Sequence, residues 1–230
     1  MRSTPTLTAL AIAVTLGACD AGGTIGTVAR TTADVVVVNA STTGIDLLQD
    51  QALDPGNSGI AFGGASLCMT VDIISHGLSV RPSGLHTSSA VLPSFAANEK
   101  YAVVVTGNGN SLQPVSFRNS FAVPSAKAAV RLVNVSGTGP YDIFVTDSAA
   151  ALSVPSAANV GSGVASSYFA VVTTKQQIRL TTTGSTLVAF DVGTVTLAAG
   201  SRAMVVLAPP AAGSSTPRAF VFQQLSTASC

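Results

Sequence analysis

The chain is 230 residues long, with 47% hydrophobic, 9% charged and 5% aromatic residues, no Trp, and a formal charge of +1 at pH 7. So apolar a chain is not intrinsically disordered, and so balanced a charge without a basic cluster excludes electrostatic binding of nucleic acid. No uncharged apolar run of about 18 residues is present, which excludes a multi-span helical membrane protein.

The first element is an address. Arg2 supplies a minimal positive region, and Leu7 to Leu16 forms an apolar run. As a helix that run spans about 15 Å, roughly half the hydrocarbon thickness of a bilayer. It predicts a signal peptide over residues 1–18 and no stable transmembrane anchor. The next residues, Leu16-Gly17-Ala18-Cys19, resemble the lipobox of bacterial lipoproteins. The resemblance implies cleavage before Cys19, a thioether-linked diacylglycerol on its sulfur, and acylation of the new amino terminus. Each buried methylene contributes about 0.8 kcal/mol, so two or three acyl chains anchor firmly in membrane lipid. The alternative is an ordinary secretory signal cut after Ala18. Residues 19–32 include Gly22, Gly23 and Gly26 and read as a flexible tether. Removing residues 1–18 takes one base, Arg2, from the 11 and none of the 10 acids, so the exported part is formally neutral. Long-range charge steering is therefore not its expected mode of action.

The rest of the chain repeats itself. Ala33-Asp34-Val35-Val36-Val37-Val38-Asn39-Ala40-Ser41 returns as Ala128-Ala129-Val130-Arg131-Leu132-Val133-Asn134-Val135-Ser136. Ile45-Asp46-Leu47 returns as Tyr141-Asp142-Ile143. Gly64-Ala65-Ser66 lies over Gly163-Val164-Ala165-Ser166, and the segment around Asn98 over that around Gly200. The spacing predicts a first repeat over 33–120, a linker over 121–127 and a second repeat over 128–230. Val35 to Val38 is a β-branched run typical of a buried strand. Leu78 to Arg81 and Ile178 to Thr181 alternate apolar and polar, as half-buried strands do. Turn signals stand at Pro82-Ser83-Gly84, Gly107 to Asn110, Thr183-Gly184-Ser185 and Ala199-Gly200-Ser201. Roughly seven or eight short strands per copy, about 8–12 residues apart, predict an all-β sandwich. The best helical candidate, Ser148 to Leu152, is a single turn at most before Pro155.

The order of Val-Val-Asn-Ala-Ser (37–41) or Leu-Val-Asn-Val-Ser (132–136), an Asp-containing strand, an Ala-Ser pair and a turn before a Val-rich strand resembles the bacterial domain of unknown function 4397. The resemblance covers about 33–118 and 128–224. It implies two tandem immunoglobulin-like β-sandwich domains in an exported protein or lipoprotein. It implies no biochemical activity. In the first copy Asn98-Glu99 stands where the pattern has a Gly turn.

Two cysteines remain after Cys19, Cys68 and Cys230. Export implies an oxidising compartment, and two cysteines there have one simple solution, a bond to each other. Closing so long a loop stabilises by about 4–5 kcal/mol in chain-entropy models. Free thiols, or a bond from Cys230 to another chain, are the alternatives. Repeat alignment sets Cys68 opposite Tyr168.

His76 and His86 are the only histidines and show no metal-ligand spacing with Cys68, so neither a metal nor a cofactor is expected. Gly56-Asn57-Ser58-Gly59 reads as a turn, and no G-x-S-x-G elbow is present. Glu99 is the only Glu, and the acids form no cluster suited to glycoside hydrolysis. Asp46 and Asp142 recur between copies, which points to a structural role. Asn39-Ala40-Ser41 and Asn134-Val135-Ser136 fit a glycosylation sequon, but recurrence at a strand exit points to side chains bonding the local backbone.

The leading expectation is a non-enzymatic, lipid-anchored cell-envelope protein, held by membrane lipid through Cys19, with a structural or binding role toward an envelope protein or glycan. A carbohydrate- or polymer-binding module is the first alternative. It needs exposed aromatics on one face, and the chain has three Tyr and nine Phe. A hydrolase on a β scaffold is the second. The sequence leaves the membrane, the ligand and the oligomeric state open.

Overall fold

Period-two patterning sets the core. The computed structural model describes residues 31–74, 77–86, 89–148, 150–225 and 230. The first copy supplies β1 (Thr32–Asn39), β2 (Ile45–Gln49), β3 (Ala52–Leu53), β4 (Met69–Asp72), β5 (Leu78–Pro82), β6 (Ala90–Val91), β7 (Lys100–Asn108) and β8 (Ser111–Arg118). The second supplies β9 (Lys127–Asn134), β10 (Tyr141–Thr146), β11 (Ala157–Val160), β12 (Val164–Ala165), β13 (Phe169–Val172), β14 (Lys175–Thr182), β15 (Val188–Thr196), β16 (Ser201–Ala208) and β17 (Arg218–Leu225). A 3-10 turn at Pro55–Asn57 is the one helical element among the described residues. The fold is all-β and sandwich-like.

Each copy builds two sheets with the same wiring. The first pairs β4-β1-β7-β8 and β3-β2-β5-β6, and the second pairs β12-β9-β16-β17, with β13 also on β9, and β11-β10-β14-β15. The registers coincide as well. Val35 lies opposite Met69 on an antiparallel neighbour and Tyr101 on a parallel one. Val130 lies opposite Phe169 and Ala203 in the same senses. Lys127 opens β9 opposite Val172, so the segment expected as a linker over 121–127 ends one residue sooner. The cause is that the Lys127 backbone already has ladder partners, including Gly200 N on its carbonyl. Ser148 to Leu152 forms no helix in its described residues.

The valine run has partners on both faces. Val35 and Val37 enter the core between the first copy's two sheets with Ile45, Leu47, Val80 and Val103. Val36 and Val38 point the other way, into a cluster with Ala102, Val104, Val133, Met204 and Val206. Val130, Leu132, Ile143, Leu180 and Val205 fill the second copy's own core. The β4-β1-β7-β8 sheet of one repeat therefore packs on the β12-β9-β16-β17 sheet of the other. Four sheets stack, and residues 31–230 make one compact unit. Burying a Val side chain fully contributes about 1.5–3 kcal/mol, so this middle layer is a core in its own right.

The Cys68–Cys230 disulfide sits at the edge of this layer. Its Cα atoms are 5.6 Å apart, and it closes a separation of 162 residues. Cys230 is wholly buried.

Turn chemistry matches between copies by different means. Gly200 (φ 71°) precedes β16, and Asn98 (φ 60°) takes the same left-handed conformation before β7. Asn is among the few residues with a side chain that tolerate it. The β7–β8 hairpin turns at Gly109-Asn110. Gly107 just before it (φ 97°) must be glycine, because a Cβ there would overlap the Ser111 carbonyl oxygen.

Candidate functional site

The recurring polar residues lie at strand ends, and the chain's own backbone occupies them. Asn39 leaves β1 wholly buried. Its Nδ2 donates to Thr43 O (2.8 Å) and Ile60 O (2.7 Å). Its Oδ1 accepts from Ser41 N (2.8 Å) and Ser41 Oγ (2.7 Å). Asn134, equally buried, repeats the network: Nδ2 to Thr138 O (3.0 Å) and Val160 O (3.1 Å), Oδ1 from Ser136 N (3.1 Å) and Oγ (2.7 Å). The side chain bonds the local backbone at the strand exit, as its recurrence predicts, and in addition pins that exit to a distant loop. Neither amide is open to modification in the folded chain.

Asp46 and Asp142 clamp two loops each. Asp46 accepts from Gly59 N (2.9 Å) and Ser83 Oγ (2.8 Å) and pairs with Arg81 Nε at 3.4 Å. Asp142 accepts from Asn159 N (2.7 Å), Thr183 Oγ1 (3.0 Å) and Gly184 N (3.0 Å). Gly59 (φ 64°) and Asn159 (φ 57°) are both left-handed, so the same turn is held at both places. Burial pushes the Asp46 carboxyl up. The bonds from Gly59, Ser83 and Arg81 and the Arg81 charge outweigh it and hold the group below its usual 3.8. A depressed carboxyl adds stability above the unfolded value, and this is lost as pH falls through the folded one. Thermal unfolding of Asp46→Asn should therefore be less pH-sensitive below about pH 4 than that of the natural chain. Parallel acid profiles would contradict the clamp.

The remaining candidates fall as follows. Cys19 and His76 lie outside the described residues. His86 is exposed on the loop between β5 and β6. Asn57 and Ser58 belong to a turn: Asn57 Oδ1 accepts from Leu67 N (2.7 Å), and Ser58 Oγ donates to Pro55 O (3.3 Å). Among the described residues, no three His, Cys, Asp or Glu side chains come together as a metal site. None of the described helices is long and apolar enough to cross a membrane.

Sequence reasoning passed over a cluster of arginines between the repeats. Arg131 replaces Val36 in the repeated strand and is only 3% exposed. Its Nη1 donates to Arg118 O (2.6 Å), and its Nη2 lies 3.4 Å from Asn119 Oδ1 and 2.9 Å from Met204 Sδ. The guanidinium stacks 4.6 Å from the Tyr168 ring centroid, and Tyr168 OH donates to Asn119 Oδ1 (2.6 Å). Arg202, 4% exposed, donates to Asn119 O (2.5 Å). Asn119 Nδ2 in turn donates to Cys230 O (3.1 Å). Burial holds the Arg131 and Arg202 guanidinium groups below their usual range and Tyr168 above its own, the last opposed by both arginine charges. Neither buried arginine has a carboxylate within 4 Å among the described residues, where ion pairs join Arg81 to Asp46 and Arg118 to Glu99.

Arg131 and Arg118 line a groove of about 440 Å³ between β8 and residues 163–167. Across Val164, Ser166 and Ser167 a second cavity of about 380 Å³ reaches Asn159 and Tyr168. The signal for this site was Arg131 itself, one charge in an otherwise apolar run.

An all-β, sandwich-like protein with an internal repeat is the class these features define. Residues 33–144 match the model of a family described as a domain of unknown function (DUF4397). The match spans the first sandwich and ends within β10, whereas the sequence resemblance also extended to 224. No curated protein matches the chain. Among solved structures, the chain is similar to the family 26 carbohydrate-binding module of Eubacterium rectale Amy13K, solved in complex with maltoheptaose. Identity is 11%, coverage 85% of this chain and 99% of that one, and the TM-score 0.25. A likeness that low carries no argument about ligand.

Proposed function

We propose that the protein is a non-enzymatic, lipid-anchored component of the bacterial cell envelope that holds or binds rather than transforms. The observation that carries this reading is the Cys68–Cys230 disulfide. Such bonds persist in oxidising compartments outside the cytosol, in keeping with the export signal over 1–18 and the lipobox ending at Cys19. The use of Asp46 and Asp142 as loop clamps supports the non-enzymatic part, because the recurring acids have their oxygens engaged by backbone and hydroxyl donors.

The carbohydrate alternative draws no support from the aromatics. Among the described residues Phe62 is the only exposed aromatic side chain, and Arg218 stacks 3.7 Å from its ring centroid. Among the described residues no set of exposed rings forms a sugar platform.

The test is membrane fractionation of the full-length chain in a bacterial host fed labelled palmitate. The natural chain should be labelled and sediment with membranes, and Cys19→Ala should lose both properties. An unlabelled, freely released natural chain would overturn the anchor.

A further inference from the structure

We propose that the cavity of about 380 Å³ beside Ser167 binds an N-acetylated amino sugar, its acetamido group seated where the first repeat keeps an asparagine side chain. The inference concerns a pocket of the second repeat and stands independently of the lipid anchor.

The two repeats hold the segment beside this cavity by the same bonds. Ser66 N donates to Val37 O and Ser166 N to Leu132 O, both at 2.8 Å. Ser66 Oγ accepts from Val37 N and donates to Leu67 O. Ser166 Oγ likewise accepts from Leu132 N and donates to Ser167 O. Leu67 and Ser167 are therefore counterparts. So are Gly59 and Asn159, whose backbone N–H groups meet Asp46 and Asp142. One bond breaks the symmetry. In the first repeat Asn57, only 4% exposed, accepts from Leu67 N through Oδ1 at 2.7 Å, and its Nδ2 donates to Asp54 Oδ2 at 2.7 Å. In the second repeat Ala157 stands two residues before Asn159, as Asn57 stands before Gly59, and has no amide to offer. Ser167 N has no protein acceptor among the described residues. Ala157 and Ser167 both line the cavity.

The first repeat thus shows what the vacated place accepts, an amide whose oxygen meets a backbone N–H. A backbone donor needs such a partner once water is displaced from it. An acetamido group presents that oxygen to Ser167 N and its methyl to the apolar wall of Val160 and Val164. The sugar ring then lies by Tyr168 and Phe169, which line the same cavity, and its hydroxyls meet the exposed Asn159 and Ser167 side chains. Such a slot needs no platform of exposed rings. The volume falls within the usual range for small-ligand sites, about 300–1,000 Å³.

A nuclear magnetic resonance titration of the isotope-labelled full chain, read at the Ser167 amide, tests this. The probes are N-acetylglucosamine, glucose, which lacks the acetamido group, and N-acetylglycinamide, which lacks the ring. N-acetylglucosamine should shift the Ser167 amide downfield and saturably, glucose should leave it in place, and N-acetylglycinamide should bind more weakly than the sugar. Ala158→Trp alters an exposed residue of the cavity wall, so its melting temperature should match that of the natural chain. The indole takes the ligand's volume and should weaken binding by about tenfold or more. No saturable shift at Ser167, an equal response to glucose, or unchanged affinity in a folded Ala158→Trp chain would overturn the site. N-acetylglycinamide binding as tightly as N-acetylglucosamine would overturn the assignment to a sugar.

Discussion

Replacing Cys68 and Cys230 together by alanine is expected to lower stability by about 4–5 kcal/mol. A bond that closes 162 residues restricts the unfolded chain strongly, and the chain-entropy relation gives about 5 kcal/mol for a loop of that length. The folded chain loses little in exchange, since Asn119 still offers its Nδ2 to the Cys230 oxygen. For a body of this size each kcal/mol moves the melting temperature by about 2–4 °C, so a fall of about 10–15 °C is expected. Scanning calorimetry of the two chains without reductant measures it. A fall under about 2 °C would show that the bond contributes nothing beyond what the inter-repeat packing supplies.

Asn39→Ala and Asn134→Ala should each cost about 3–4 kcal/mol, and by similar amounts. Each removes a buried amide that satisfies two distant carbonyls and accepts from a backbone N–H and a hydroxyl. A hydrogen bond contributes about 1 kcal/mol net, and an orphaned buried partner costs about 1–3. The Ile60 and Val160 carbonyls, reached across 21 and 26 residues, are the partners most exposed to that penalty. Urea unfolding of the two variants measures the cost. Asn39→Asp should also be destabilised, because a carboxylate accepts but cannot donate to Thr43 O and Ile60 O. Losses below about 1 kcal/mol would mean that these loops are held by other contacts.

The repeat, the strand rhythm, the disulfide and the Asn–Ser exits were legible because each depends on residues close in sequence or on a simple count. Asn98 stands where the pattern has a Gly turn, and its left-handed backbone shows that asparagine does there what glycine does at 200. The packing of one repeat on the other was not legible. Val35 to Val38 announces burial on both faces, but an unbroken apolar run has no period that says what covers each face. The arginine cluster was hidden for another reason. Arg131, Tyr168 and Arg202 lie on β9, the β12–β13 connection and β16, and only the stacking of two sheets brings them to Asn119, which follows β8. The clamps were half legible. Recurrence marked Asp46 and Asp142, but their partners Ser83 and Thr183 looked like ordinary turn residues until the fold placed them.

Two sandwiches of the same wiring, fused through a shared apolar layer, make a different object from two beads on a linker. Val36, Val38, Val104, Val133, Met204 and Val206 cannot be uncovered from one repeat without exposing the other. The most direct measurement is calorimetric unfolding of the oxidised chain. One transition whose calorimetric and van't Hoff enthalpies agree is the result expected of a common core. Two resolved transitions, or a calorimetric enthalpy near twice the van't Hoff value, would show repeats that melt separately and would contradict the fused core.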